Sequence, residues 1–303
     1  MKKQDMFTKK QSFSQFIRKN WVGYLMEAPF AILFITFTLA PVLIALFLSF
    51  TDYNMLQTPN FVGLKNYELL LVDDPYWWTA VKNTLTYAII VGPVGYFASF
   101  FMAWVLNQLK GRSAFALAFY APSITSGVAM SVIWLYFFSS DRYGLINNVL
   151  LNMGIIEDPI LWTNNPETIM PVVIFISIWM SMGTGFLVFL AGLQNVDKSL
   201  YEAGAIDGVS NRFQELRYLT FPQMKPQLLF GAITAVTGAF SVFDIPMTVA
   251  GMPGPNYANH TMVMHLYDYA FVRFQMGYAS AVATVVFLVT FVVGRVIMRV
   301  LSE

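Results

Sequence analysis

The sequence predicts an all-α integral membrane protein with six transmembrane helices. Of its 303 residues, 57% are hydrophobic and 12% charged, whereas a soluble globular chain carries about 25% charged residues. Six apolar runs punctuate it, each long enough to cross a hydrocarbon core of ~30 Å at 1.5 Å per residue. Lys and Arg crowd the connections on one side of those runs, the asymmetry that fixes the orientation of helical membrane proteins. With no cysteine, disulfides, thiol catalysis and Cys-ligated metals are all excluded.

Residues 1–27 form a basic N-terminal tail, with Lys2, Lys3, Lys9, Lys10, Arg18 and Lys19, then Trp21 and Tyr24 as interfacial anchors. The first span, 28–50, is too long for a signal-peptide core and lacks a small-x-small cleavage site, so it is expected to remain as an anchor. A polar loop follows, with a short interfacial helix expected near 64–71, closing on Tyr76-Trp77-Trp78. The second span is 84–106, and Lys110 and Arg112 mark a tight turn. The third, 114–138, should break at Pro122. A polar loop leads to the fourth span, 169–193, and residues 195–225 separate it from the fifth, 228–250. A further loop, 251–275, precedes the sixth span, 278–300. Residues 28–303 thus make one membrane domain.

The tail, Lys110, Arg112, Lys198, Arg212, Arg217, Lys225, Arg295 and Arg299 fall on one side. Only Lys65, Lys82, Arg142 and Arg273 fall on the other. Basic residues favour the cytoplasm, so both termini and the 195–225 segment should be cytoplasmic in a multi-pass protein of the cell membrane. Small residues four apart, Ser177, Ser181 and Gly185 in the fourth span and Gly231, Ala235 and Ala239 in the fifth, predict close helix packing.

Segment 195–225 spells two short helices. Ser199 with Glu202 fits a capping box, and Gly208 is placed for a left-handed stop. Asn211 with Gln214 repeats the start signal, and Pro222 is expected to end the second helix. Helices under roughly 12 residues are marginal alone, so these need a surface to lie on.

Glu202-Ala203-Gly204, then Gly208, then Leu219-Thr220-Phe221-Pro222 resemble the Glu-Ala-Ala loop of ABC importer permeases. Gly204 replaces the family's second alanine, Phe221 its leucine before proline, and the interval from Gly208 to Pro222 is longer by one residue. Residues 45–54 and 61–67 resemble the entry of the upstream permease of carbohydrate importers, similar to the larger maltose-importer permease and the glycerol-phosphate importer permeases. Phe243-Asp244, Gly254-Pro255, Tyr267, Ala270-Phe271 and Gly277-Tyr278-Ala279-Ser280-Ala281 match the same class. The resemblance implies a type I ABC importer permease fold, with Glu202, Ala203, Gly204, Asp207, Gly208 and Pro222 coupling it to an ATPase. It further implies a second homologous permease, two ATP-binding cassette subunits, an extracellular solute-binding protein and a carbohydrate substrate.

No Gly-x-x-x-x-Gly-Lys-Ser/Thr motif occurs, so ATP and Mg are expected on the partner ATPase and no cofactor in this chain. His260 and His265 lack zincin spacing, and no Gly-x-Ser-x-Gly elbow is present, so neither a metal site nor an enzyme is expected. An ABC permease for a non-sugar solute remains an alternative. An ion-coupled secondary carrier is a further one, opposed by the scarcity of intramembrane carboxylates.

For the substrate path, a continuous fifth helix would put Thr234, Thr237, Ser241, Asp244 and Thr248 on one face. Thr237, Ser241 and Asp244, with Phe240 and Phe243 as apolar surfaces for a sugar, are the expected pathway residues.

Overall fold

The computed structural model describes residues 13–109, 111–182 and 184–302. Lys2, Lys3, Lys9, Lys10 and Lys110 therefore lie outside the described residues.

Among the described residues, five helices are long and apolar enough to cross a membrane: Asn20–Leu48, Pro75–Asn107, Pro166–Gln194, Lys225–Ala250 and Met276–Leu301. They correspond to the expected first, second, fourth, fifth and sixth spans. The first begins eight residues early and the second nine, because Asp74 starts the second helix well before the apolar run does. Its carboxylate accepts from the Tyr76 and Trp77 backbone N–H groups, and Pro75 occupies the first helical position, where its missing N–H costs nothing. Tyr76-Trp77-Trp78 thus opens a helix and does not close a loop.

The third segment is broken, as expected, though not at Pro122 itself. It is two shorter helices, Arg112–Ile124 and Gly127–Phe137, parted by extended backbone at Thr125 and Ser126. The break falls three residues beyond Pro122, where the Thr125 hydroxyl donates to the Ala121 carbonyl and substitutes for helical pairing. The fifth span is also interrupted, with Lys225–Phe240 and Asp244–Ala250 separated at Ser241–Phe243. Phe243 (φ −141°, ψ −54°) lies outside helical geometry, so the single polar face drawn along a continuous helix does not exist.

The second span is the hub, packing against the fourth and fifth spans and against a short helix, Met262–Tyr267. Small residues govern the approach. A Cβ on Gly95 would collide with the Ser181 hydroxyl, and one on Gly185 would touch Ser99 at 3.5 Å. Ser181 and Gly185 are therefore a packing seam, as their spacing predicts, and the groove they enter belongs to the second span. The first span is the opposite case. Its apolar window buries nothing, and its 40–48 stretch packs chiefly on the sixth span, leaving Phe30, Phe37 and Phe47 exposed.

Two apolar clusters result. One, at the end carrying 195–225 (the loop end), holds Phe100, Leu106, Phe186, Phe189, Leu193 and Met224. The other, toward the opposite (far) end, holds Trp77, Ile169, Ile176, Phe240, Met262 and Val282. The expected 251–275 loop is largely a buried helical plug at the far end: Asn259, His260, Thr261, Met262, Met264 and His265 are each 1% exposed or less. Polar composition concealed this, because most of its polar groups find partners inside, Asn259 Oδ1 and His260 Nδ1 excepted. Asn83 donates to the Tyr257 and His260 carbonyls, and Thr84 accepts from the Met262 N–H.

Candidate functional site

Three places on this scaffold carry functional geometry: the helical loop, a cavity at mid-depth, and a buried ionisable cluster at the far end.

The helical loop folds as two helices, with corrected caps. Asp197, not Ser199, caps the first, Lys198–Ile206, accepting from the Ser199 N–H at 2.9 Å. Glu202 is exposed on the helix and forms no capping box. Gly208 takes φ +93°. The Val209 N–H donates to the Gly204 carbonyl at 2.9 Å and the Gly208 N–H to that of Ala205 at 3.4 Å, the paired bonds of a Schellman stop. Asn211 caps the second helix through the Gln214 N–H. That helix runs through Pro222 and ends at Met224, because a π-turn over Glu215–Thr220 shifts the bonding register just before the proline.

The first helix packs on the second, where the Tyr201 and Thr220 hydroxyls lie 3.0 Å apart, and the second rests on the second span, where Phe213 meets Trp104 and Phe221 meets Phe100. Gly204 is buried because Leu219 sits where its Cβ would project, 2.8 Å away. Ala203 and Asp207 remain exposed beside Glu202. Ile206, Phe213 and Tyr218 stay between 62% and 87% exposed, an apolar surface with polar flanks.

The cavity, about 560 Å³ and half open, lies between the two apolar clusters. Tyr87, Gly92, Gly95, Tyr96 and Ser99 of the second span, Ser177, Met180, Ser181, Gly185 and Phe189 of the fourth, and Gly231, Thr234, Ala235 and Gly238 of the fifth line it. The small residues that seam the helices also open this space. Its hydroxyls are anchored: Tyr96 donates to Leu228, Ser99 to Ser181, Ser177 to Val173, and Thr234 to Phe230 and Gly231. Each hydroxyl oxygen keeps acceptor capacity beyond the bond it donates.

None of the expected pathway residues Thr237, Phe240, Ser241, Phe243 and Asp244 lines it. Thr237 bonds the Ile233 carbonyl, Phe243 packs on Tyr267, and Phe240 is 4% exposed inside the far-end core. Phe240 is thus packed in the far-end core. Asp244 is exposed in the first turn of the helix after the break, beside Gly127 at the start of Gly127–Phe137.

The far-end cluster centres on Asp74. Its Oδ2 accepts from Tyr269 at 2.9 Å and Tyr278 at 2.7 Å, and lies 3.2 Å from Nε2 of His265. His265 Nδ1 lies 3.3 Å from Nε2 of His260. Burial raises the Asp74 pKa, but the tyrosine hydrogen bonds and His265 outweigh it, leaving the carboxyl below its usual range. Burial lowers both histidines, His260 to about 4, its neighbour His265 adding to the effect. Burial, with Asp74 beside it, raises Tyr269 to about 12. Asp74 was readable as a cap from the Asp-Pro pair, whereas its partners lie about 200 residues away and no local signal joins them. Among the described residues, no group of three or more His, Asp or Glu side chains is arranged to hold a metal.

A helical membrane bundle with a cavity at mid-depth and a docked helical loop defines a class of membrane permeases. The chain belongs to the Binding-protein-dependent transport system inner membrane component family, whose model matches residues 95–303. It is 35% identical over 293 residues to the Probable ABC transporter permease protein YesP of Bacillus subtilis (strain 168), covering 95% of this chain and 93% of that one. It is 32% identical to the Arabinooligosaccharides transport system permease protein AraP of the same organism (94% and 90% covered). To the Lactose transport system permease protein LacF of Rhizobium radiobacter it is 33% identical (95% and 94%). The fold matches a chain in the crystal structure of a bacterial ABC transporter that imports the acidic polysaccharide alginate, with TM-score 0.81, 22% identity and 95% and 98% coverage. A second structure of the alginate transporter, in complex with an alginate pentasaccharide-bound periplasmic protein, matches with TM-score 0.79, 23% identity and 96% coverage of each chain.

Proposed function

We propose that this chain is one of two permease subunits of an ATP-driven importer for an oligosaccharide or related carbohydrate. What carries the reading is the pairing of a mid-depth cavity with a separately docked, partly exposed helical loop, in a chain whose relatives AraP and LacF bear the names of sugar transport systems. Segment 195–225 is the coupling loop, cytoplasmic with both termini. Glu202, Ala203, Asp207 and Gly208, with Ile206, Phe213 and Tyr218, meet an ATPase that binds ATP and Mg. Gly204 and Pro222 shape the loop. The broken third segment completes six crossings.

Alternating access follows from these parts. ATP-driven closure of two ATPases moves the coupling loop, which moves the attached ends of the second, fourth and fifth spans and reshapes the cavity between them. A solute-binding protein delivers substrate at the far end. Apolar walls such as Phe189 and Met180 suit sugar ring faces, and the anchored hydroxyls accept from sugar O–H groups. Thr237, Ser241 and Asp244 are exposed at the break in the fifth span and are read as facing the partner permease or the pathway.

The test is a reconstituted complex of this chain with its ATPase, second permease and binding protein. ATP hydrolysis is expected to rise with one or a few members of an oligosaccharide panel. Stimulation by an amino acid or ion, and by no carbohydrate, would overturn the substrate class.

A further inference from the structure

The far-end cluster has a direction. A carboxylate only accepts, so the proton between Asp74 and His265 sits on His265 Nε2. The His265 Nδ1 is then a lone pair and takes the proton of His260 Nε2, 3.3 Å away. This leaves His260 Nδ1 as a lone pair, buried and with no hydrogen-bond partner. A buried acceptor without a partner at the end of a polarised chain is costly, and it is the one lone pair of the two imidazoles not already engaged by a hydrogen bond. Protonation there would place a positive charge and an N–H donor in a buried site that offers it no acceptor.

The surroundings offer the charge little relief. Tyr257 stands edge-on to His260 at 5.2 Å, and Tyr76 stacks on Tyr257 at 4.1 Å. Asp74, at the start of the second span, is the nearest anion and is already saturated by Tyr269, Tyr278 and two backbone N–H groups. Asp268 is held by Arg273 at 2.7 Å, and that guanidinium lies over Tyr269 at 4.4 Å. The same groups join three parts of the fold: the second span through Asp74, the 255–275 plug through the histidines and Tyr269, and the sixth span through Tyr278.

We propose that Asp74, His265 and His260 form a proton-operated latch, which holds the 255–275 plug against the second span while both histidines are neutral and releases it when His260 takes a proton at Nδ1. The sign follows from linkage. A histidine with a lowered pKa in the packed state contributes stability that is complete above its unperturbed 6.5 and lost as pH falls toward about 4. Asp74, also lowered, loses its contribution only below its ordinary 3.8, so it stays ionised through the window in which His260 titrates.

The chain has no cysteine and two histidines, which makes the latch directly measurable. Spin labels on Val72→Cys and Phe271→Cys, both exposed positions, would report the distance between the second-span entry and the plug in the assembled transporter in nanodiscs. There both faces share one buffer, so the outcome does not depend on which way the chain is oriented. One distance is expected near neutral pH, and a second, longer population as pH falls through the window between 6.5 and about 4. His260→Gln keeps an N–H for His265 but cannot titrate, and should hold the single distance throughout. Histidine C2-proton exchange read by mass spectrometry on the unlabelled protein gives the pKa of each histidine without any substitution at the latch. An unchanged distance across the window overturns the proposal. So does a transition that survives in His260→Gln, or one whose midpoint departs from the His260 pKa.

Discussion

Gly277 shows how a single residue decides the packing of the far end. A Cβ there would collide with the Thr51 carbonyl, and the Gly277 N–H donates to the Tyr53 carbonyl at 2.9 Å. The chain entering the sixth span thus lies against the backbone leaving the first, which positions Tyr278 one residue on to reach Asp74. No side-chain rotation relieves a clash with main chain, and forced overpacking costs about 1–3 kcal/mol. Gly277→Ala should lower the thermal midpoint of the purified protein and reduce its yield in the membrane. Gly204 makes the contrast. The atom in the way is a methyl of Leu219, which can turn aside, and Ala exceeds Gly in helix propensity by about 1 kcal/mol. Gly204→Ala should therefore be at least as stable as the parent, with transport retained, as uptake assays on the pair of variants would register.

At the scale of elements, the two helices of 195–225 are held by ends and by docking. Asp197 and Asn211 begin them, the Gly208 stop separates them, and Trp104 and Phe100 receive their aromatic faces. A β-branched residue at φ +93° costs about 1–2 kcal/mol. Gly208→Val should misdirect the second helix while leaving the spans intact. Transport and stimulated ATP hydrolysis are expected to fall at least tenfold at undiminished membrane abundance, and normal uptake would remove the loop from the coupling role. The fifth span carries a different lesson. Its break at Ser241–Phe243 turns Phe240 into the core and leaves Asp244 opening a new helix, so residues four apart in sequence do not share a face.

For the whole molecule, orientation rests on charge distribution and the number of crossings on apolar length, more than on any contact. The absence of cysteine makes single-cysteine labelling clean. Asn211→Cys should react with an impermeant thiol reagent only after the cytoplasmic face is opened, and Asn60→Cys in intact cells. Reversed labelling would invert the topology and withdraw 195–225 from an ATPase. The bare first span, apolar and unburied, gives this chain a broad apolar surface to set against lipid or another membrane protein.

The sequence by itself determined the membrane class, the locations of the apolar runs, the two short helices with their glycine stop, and the family, because length, hydropathy and local turn chemistry are properties of neighbouring residues. Only the tertiary structure decided where helices begin and break. Asp74 extends the second span beyond its apolar run, and the third and fifth segments part where Thr125 and Phe243 leave helical geometry. The structure also gathered the cavity from Tyr87, Ser177 and Thr234 on three spans; of these only Thr234 lay on the polar face expected from the sequence, and Ser177 read as ordinary packing. The histidines looked like loop residues for the same reason. Their burial depends on Asp74, Tyr269 and Tyr278, brought together across some 200 residues, and hydrogen bonds at that separation leave no periodicity in the chain for a local reading to find.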